Sequence, residues 1–102
     1  MDLGKAFLNN ANLIGADLRG ADLGKAYLYQ AKLSKADLSR ASLRKANITR
    51  ANLNQAILIE TNLKGANLDD AMHLTCDQVK LALIDKSTRL PDYLILTWSS
   101  ES

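Results

Sequence analysis

Apolar and polar positions repeat every five residues from the start of the chain to about residue 71. Alanine stands at 6, 11, 16, 21, 26, 31, 36, 41, 46, 51, 56, 66 and 71, Thr61 fills the one gap, and two positions after each slot through residue 68 comes Leu, or once Ile48. Thirteen alanines and one threonine make fourteen units in a single register. The residue between is often acidic or its amide, as at Asn12, Asp17, Asp22, Asp37, Asn47, Asn52 and Asn67, so the unit reads A-[D/N]-L-x-x.

The abundance of Ala and Leu suggests helix, but the period excludes it. At about 100° per residue a five-residue step scatters successive leucines around the whole helix, and no apolar face forms. In an extended chain, residues two apart share a side, so Ala and Leu of one unit point together and the residue between points away. The next Ala comes three later, and a corner across the last two slots restores the phase. Those slots hold Gly4, Asn9, Asn10, Gly15, Gly20, Gly24, Ser34, Asn54 and Gly65, residues that tolerate turns. The pattern therefore predicts a chain coiled around an interior of Ala and Leu, with coils stacked about 4.8 Å apart by parallel β-type hydrogen bonds.

These repeats resemble the pentapeptide-repeat family over about two thirds of the chain. The resemblance implies an all-β solenoid, a right-handed quadrilateral β-helix with four repeats per coil. At four repeats per coil the chain makes about 3.5 coils, in a column roughly 17 Å tall. A leucine-rich repeat is the competing solenoid, and the chain lacks its L-x-x-L-x-L spacing.

Four repeats per coil assign the outward residues to walls. Wall one carries Asp2, Lys5, Asp22, Lys25, Arg44, Lys45 and Lys64, and wall two Phe7, Tyr27, Tyr29, Arg50, Asp69 and Asp70. Wall three shows Ile14, Lys32 and Lys35; wall four shows Asp17, Arg19, Asp37, Arg40, Ile57, Ile59 and Glu60.

Residues 1–70 form the repeat and 71–102 a C-terminal cap. The register breaks at Met72-His73-Leu74, and Thr75-Cys76-Asp77-Gln78 has the T-x-x-Q form of a capping box. A short α-helix over about 76–85 follows, with Cys76, Val79, Ala82 and Leu83 on one side. Pro91 ends any helix by Leu90, and an apolar tail covers 92–98. That tail either folds back over Ile57 and Ile59, the reading we adopt, or docks onto a second molecule. The N-terminal coil has no such cover, so a homodimer through it, or through the tail, is open.

Composition changes this picture little. The 102 residues carry 13 Lys or Arg and 11 Asp or Glu, a net charge of +2, which marks neither a dedicated nucleic-acid binder nor a membrane binder. No stretch is long and apolar enough to span a bilayer, no secretory signal is evident, and the one cysteine has no internal partner, which points to the cytoplasm. His73 and Cys76 are three apart, but a structural zinc needs four ligands, so no metal or cofactor is implied. No catalytic motif is present, and the expected function is a non-enzymatic scaffold or protein-interaction module of unidentified partner.

Some longer relatives are implied by the resemblance to mimic duplex DNA and bind DNA gyrase. Residues 1–70 hold ten Lys or Arg and seven Asp or Glu, the wrong sign for a mimic of a polymer with one negative charge per 1.7 Å or so. A topoisomerase regulator is thus disfavoured. Two surfaces remain as candidates. Phe7, Tyr27 and Tyr29 share a wall and are the candidate partner-binding residues. Lys5, Lys25, Arg44 and Lys45 form a corner ladder, a candidate site for weak binding of an anionic polymer.

Overall fold

The computed structural model describes residues 2–94. Parallel β-bridges link residues twenty apart along four tracks, so each coil takes four repeats. Asp2, Asp22, Ser42 and Asn62 stack on wall one; Phe7, Tyr27, Asn47 and Asn67 on wall two; Asn12, Lys32, Asn52 and Met72 on wall three; Asp17, Asp37 and Ile57 on wall four. Each unit contributes one bridge residue to its wall and then turns, so the walls are ladders of single residues.

Backbone accounting shows why the unit has this form. Around Lys25, the Leu23 N–H donates to Ser42 O (2.7 Å) and Lys25 N–H to Arg44 O (2.8 Å), while Tyr27 N–H donates to Ala6 O (2.9 Å) in the coil below. Ala26 N–H donates to Leu23 O at 3.0 Å and closes the corner as a β-turn. One N–H, that of Gly24 in the fourth slot, is left over, and Asp22 Oδ1 accepts it at 3.0 Å. The same bond joins Asn12 to Ile14, Asp37 to Ser39, Asn47 to Thr49 and Asn62 to Lys64. The Asp or Asn of the repeat is there to satisfy the donor that the ladder misses.

The fifth slot sits at positive φ throughout the corners. Gly15 and Gly20 take it at 69° and 68°, yet Lys5, Lys25, Lys35, Arg40, Lys45 and Arg50 also hold it, between 58° and 60°. A side chain there costs about 1–2 kcal/mol against ordinary backbone.

Inside, every Ala and Leu slot from Leu18 to Ala71 is buried, and Leu23, Leu28, Leu33 and Leu38 have no exposed surface. Leu3, Leu8 and Leu13 of the first coil are half-buried. Thr61, in an alanine slot, is fully buried.

Past Ala71 the ladder makes one further step, with Met72 N–H on Ala51 O (2.8 Å), before His73 turns the chain at φ 62°. Helix α1, Cys76–Lys80, starts where the sequence predicts. Thr75 Oγ1 accepts Gln78 N–H at 3.2 Å, and Gln78 Oε1 accepts Thr75 N–H at 2.8 Å. Gln78 Nε2 also donates to Leu53 O and Ala56 O, each at 2.9 Å. In lower coils the carbonyl equivalent to that of Ala56 takes a ladder N–H, so one amide side chain ends wall four.

The helix is five residues long and does not run to 85, a correction to the length expected from periodicity. Its C-cap, Leu81, gives its carbonyl to Glu60 N–H (2.7 Å), and Leu83 is drawn into a bridge with Asn62. Arg89 bridges Asn67 in turn, so the chain lies back along walls one and two beyond residue 71. Of the two residues predicted to continue the helix face, Ala82 turns the chain with its N–H on Val79 O (3.0 Å), and Leu83 joins the ladder and is exposed. Farther on, Tyr93 Oη donates to Ala71 O at 2.6 Å and Leu94 is buried. Of the tail at 92–98, residues 95–98 lie outside the described residues. Ile57 and Ile59 stay exposed.

Candidate functional site

From Leu18 to Ala71, slots two, four and five are all that the column shows to solvent, so each surface is a grid with rungs about 4.8 Å apart. On wall two, Phe7 and Tyr27 occupy the bridge slot of successive coils, and their rings stack 5.1 Å apart at 6°. Phe7 is 84 % exposed and Tyr27 42 %. Neither side chain can accept the left-over turn N–H of its own unit. Asn9 Oδ1, one coil below, takes the Tyr29 N–H instead at 2.9 Å. Tyr29 is half-buried at the next corner, where its hydroxyl accepts from Arg50 Nη1 at 3.4 Å. The wall thus brings together Phe7 and Tyr27, while Tyr29 belongs to the corner beside them.

The four basic candidates do converge. Lys5, Lys25, Arg44 and Lys45 line one open groove of about 470 Å³ on wall one, with Gly4, Gly24, Asp22 and Ser42 as its floor. The glycines and Ser42 are groove residues that charge patterning alone did not single out.

A second open groove, about 600 Å³, runs along wall three, between Ile14 at one end and Met72 at the other, past Gln30, Lys32, Arg50 and Asn52. None of the sequence candidates lies in it, since its polar lining is spread over three slots of the repeat and four coils.

Wall four is electrostatically closed on itself. Arg19 pairs with Asp17 at 2.8 Å and reaches Asp37 at 4.0 Å, and Arg40 lies 3.6 Å from Glu60. Hydrogen bonds from Arg19, side chain first and backbone second, hold the Asp17 carboxyl down at about 2. The Ser39 hydroxyl and N–H lower that of Asp37. Beside the last coil, Arg89 pairs with Asp69 at 2.7 Å, and the Ser87 hydroxyl lowers the Asp85 carboxyl.

Cys76 is buried as a free thiol. Among the described residues no three His, Cys, Asp or Glu side chains come together as a metal-ligand set. No helix among them is long and apolar enough to cross a membrane.

The tracks of residues twenty apart and the A-[D/N]-L-x-x unit define a class. The chain belongs to the pentapeptide-repeat family: residues 1–28, 22–58 and 36–71 match the model for pentapeptide repeats, with 8 copies. Members of this family adopt a right-handed quadrilateral β-helix. The chain is similar to the crystal structure of alr5209, a pentapeptide repeat protein from Nostoc Pcc 7120, at 34% identity over 96% of this chain and 76% of that one (TM-score 0.56). It is also similar to the pentapeptide repeat protein Rfr23 from the cyanobacterium Cyanothece 51142, at 38% identity over 87% and 63% of the two chains (TM-score 0.42). A pentapeptide repeat protein of the Arabidopsis thaliana thylakoid lumen aligns at 26% identity over 89% and 60% (TM-score 0.34). The chain thus spans less than two thirds of the second and third of these. No curated protein matches it.

Proposed function

We propose that the protein is a non-enzymatic scaffold that engages a protein partner through wall two. The observation that carries this reading is the Phe7–Tyr27 stack. Two large rings stand in an outward bridge slot that Asp or Asn fills in most units, and they remain exposed. Aromatic side chains are enriched in the centres of protein interfaces. The stack is already ordered by the ladder beneath it, so a partner loses little entropy in fixing it.

About three and a half coils, closed by α1 and the segment that follows, make the rigid support. The cap reading rests on the Gln78 bonds to Leu53 O and Ala56 O and on the burial of Cys76, Val79 and Leu94. A reducing compartment, the cytoplasm, suits the free thiol of Cys76. DNA mimicry is not supported, because the repeat surface is basic.

The test is affinity capture with the wild-type chain and with Phe7→Asn combined with Tyr27→Asn. Asn already occupies this track at Asn47 and Asn67, so the variant keeps the fold. A partner that is captured by the wild type and lost by the variant, at unchanged melting behaviour, supports the reading. Equal capture by both overturns it.

A further inference from the structure

Units 31–35 and 36–40 read A-K-L-S-K and A-D-L-S-R, and their main difference is the second slot. In the latter, Asp37 Oδ1 accepts both the Ser39 N–H at 3.0 Å and the Ser39 hydroxyl at 2.6 Å. The same two-donor cradle holds Asn47 Oδ1 through Thr49 (3.1 and 2.7 Å) and Asp85 Oδ1 through Ser87 (3.0 and 2.7 Å). In unit 31–35 the ladder bonds are made as elsewhere: Lys32 N–H donates to Ala11 O, Leu33 N–H to Asn52 O and Lys35 N–H to Asn54 O, each at 2.9 Å. The backbone at Ser34 is therefore anchored on both sides. Lys32 supplies no oxygen, however, and among the described residues neither the Ser34 N–H nor its hydroxyl has an acceptor.

Lys32 is the one cation in the second slot over residues 2–67. Where Phe7 or Ile57 stands there, the N–H two residues on is freed as well, but the slot brings no charge with it. Wall three thus presents two oriented donors of the kind that hold the Asp37 carboxylate, and an ammonium beside them.

We propose that the wall-three groove binds a short acidic segment of a partner protein, with one aspartate or glutamate carboxylate seated on the Ser34 N–H and hydroxyl and paired with Lys32. Charge-assisted bonds from fixed donors are the strong class of hydrogen bond. One rung up, about 4.8 Å along the axis, Arg50 is the second cation of the groove and takes a second acid of the segment. Among the described residues the Arg50 side chain meets only the Tyr29 hydroxyl, at 3.4 Å. Asp70, the one acid in the lining, lies a further rung above, so the acids seat at the level of Lys32 and Arg50. A free small acid would cover one rung, whereas the groove crosses four coils. The amides of Gln30 and Asn52 stand between Ile14 and Met72, a lining that suits the backbone groups and apolar side chains of a peptide. The groove does not use the Phe7–Tyr27 stack, so the two contacts stand or fall independently.

The experiment is a titration of the isotope-labelled full chain, at low salt, with an acetylated and amidated peptide of alternating alanine and aspartate, read at the Ser34 amide by NMR. We expect a saturable shift of that amide, and none with the matching peptide of alanine and asparagine. Lys32→Asn returns to the slot the acceptor that Asn12 and Asn52 place directly below and above it, so the fold is kept and the cradle is filled from within. It weakens binding by roughly tenfold or more. Lys35→Gln removes the same charge at the neighbouring corner, outside the groove, and changes the affinity by less than about twofold. Gln55 holds that corner slot one coil above at φ 60°, so this variant folds too. No saturable shift at Ser34 overturns the proposal, as does equal weakening by Lys35→Gln. An equal response to sodium acetate at matched carboxylate concentration overturns the assignment to a peptide segment.

Discussion

Thr61 donates its hydroxyl proton to the carbonyl oxygen of Leu38, one coil below, at 2.6 Å. The same carbonyl accepts the Ala41 N–H at 2.9 Å. The one break in the alanine register is therefore a polar staple between coils, and its hydroxyl is fully satisfied inside the core. Thr61→Val keeps the shape and removes the bond, so it lowers stability by about 1 kcal/mol in chemical denaturation. An unchanged midpoint would show that the hydroxyl is idle.

The corners make the next prediction. Gly15 sits at φ 69° with open space around a built Cβ, so Gly15→Ala is opposed by backbone strain alone and costs about 1 kcal/mol. Lys35, at φ 60°, is the reverse case. Lys35→Gly relieves about 1–2 kcal/mol of strain and gives back about 0.5–1 kcal/mol of chain entropy, for a gain of up to about 1.5 kcal/mol. Opposite shifts of the two melting temperatures check both signs.

Asn47 Oδ1 accepts the Thr49 N–H at 3.1 Å and the Thr49 hydroxyl at 2.7 Å. Asn47→Ala leaves the corner N–H without its partner and costs about 1 kcal/mol, whereas Asn47→Asp, the other residue of the repeat, is tolerated. Equal midpoints for the two variants would contradict the role given to this slot.

Acid reports on wall four. The Asp17 carboxyl is held at about 2 by Arg19, against an ordinary 3.8, and Ser39 lowers that of Asp37. Both are ionised more readily in the folded chain, so their stabilisation is complete above pH 3.8 or so and is lost as pH falls towards 2. Because both groups lie at the surface, the effect is small and salt-screened. Asp17→Asn with Asp37→Asn keeps the oxygen that accepts the turn N–H and removes the titration. Melting curves at pH 5 and pH 2.5 should differ less for that variant than for the wild type.

The sequence made the coil and its four walls legible, because a period of five and a stack of four place each outward residue without knowledge of side-chain packing. Phe7 over Tyr27 and Asp17 over Asp37 follow from counting alone. The reason for Asp and Asn in the second slot was not legible, since it lies in one N–H that only a full account of the ladder leaves unpaired. Beyond residue 71 the period fails: Leu83 bridges Asn62 and Arg89 bridges Asn67, spacings of 21 and 22 that no repeat announces. Helical spacing therefore predicts α1 through Ala82 and Leu83, whereas the pairing of Leu83 with the coil below outweighs another turn of α1. At the candidate sites, the lysine row was visible as a charge pattern, while its glycine floor was visible only in three dimensions.

The inward slots hold the fold together, and the outward slots carry the proposed contacts. Leu38 stands in mid-column with no exposed surface, and the ladder gives its side chain no route outward. Thermal denaturation of Leu38→Lys, followed by far-ultraviolet circular dichroism, tests this most directly. Loss of a cooperative transition is the predicted result, since a buried, unpaired ammonium costs several kcal/mol on top of the lost leucine. A cooperative transition near that of the wild type would contradict it.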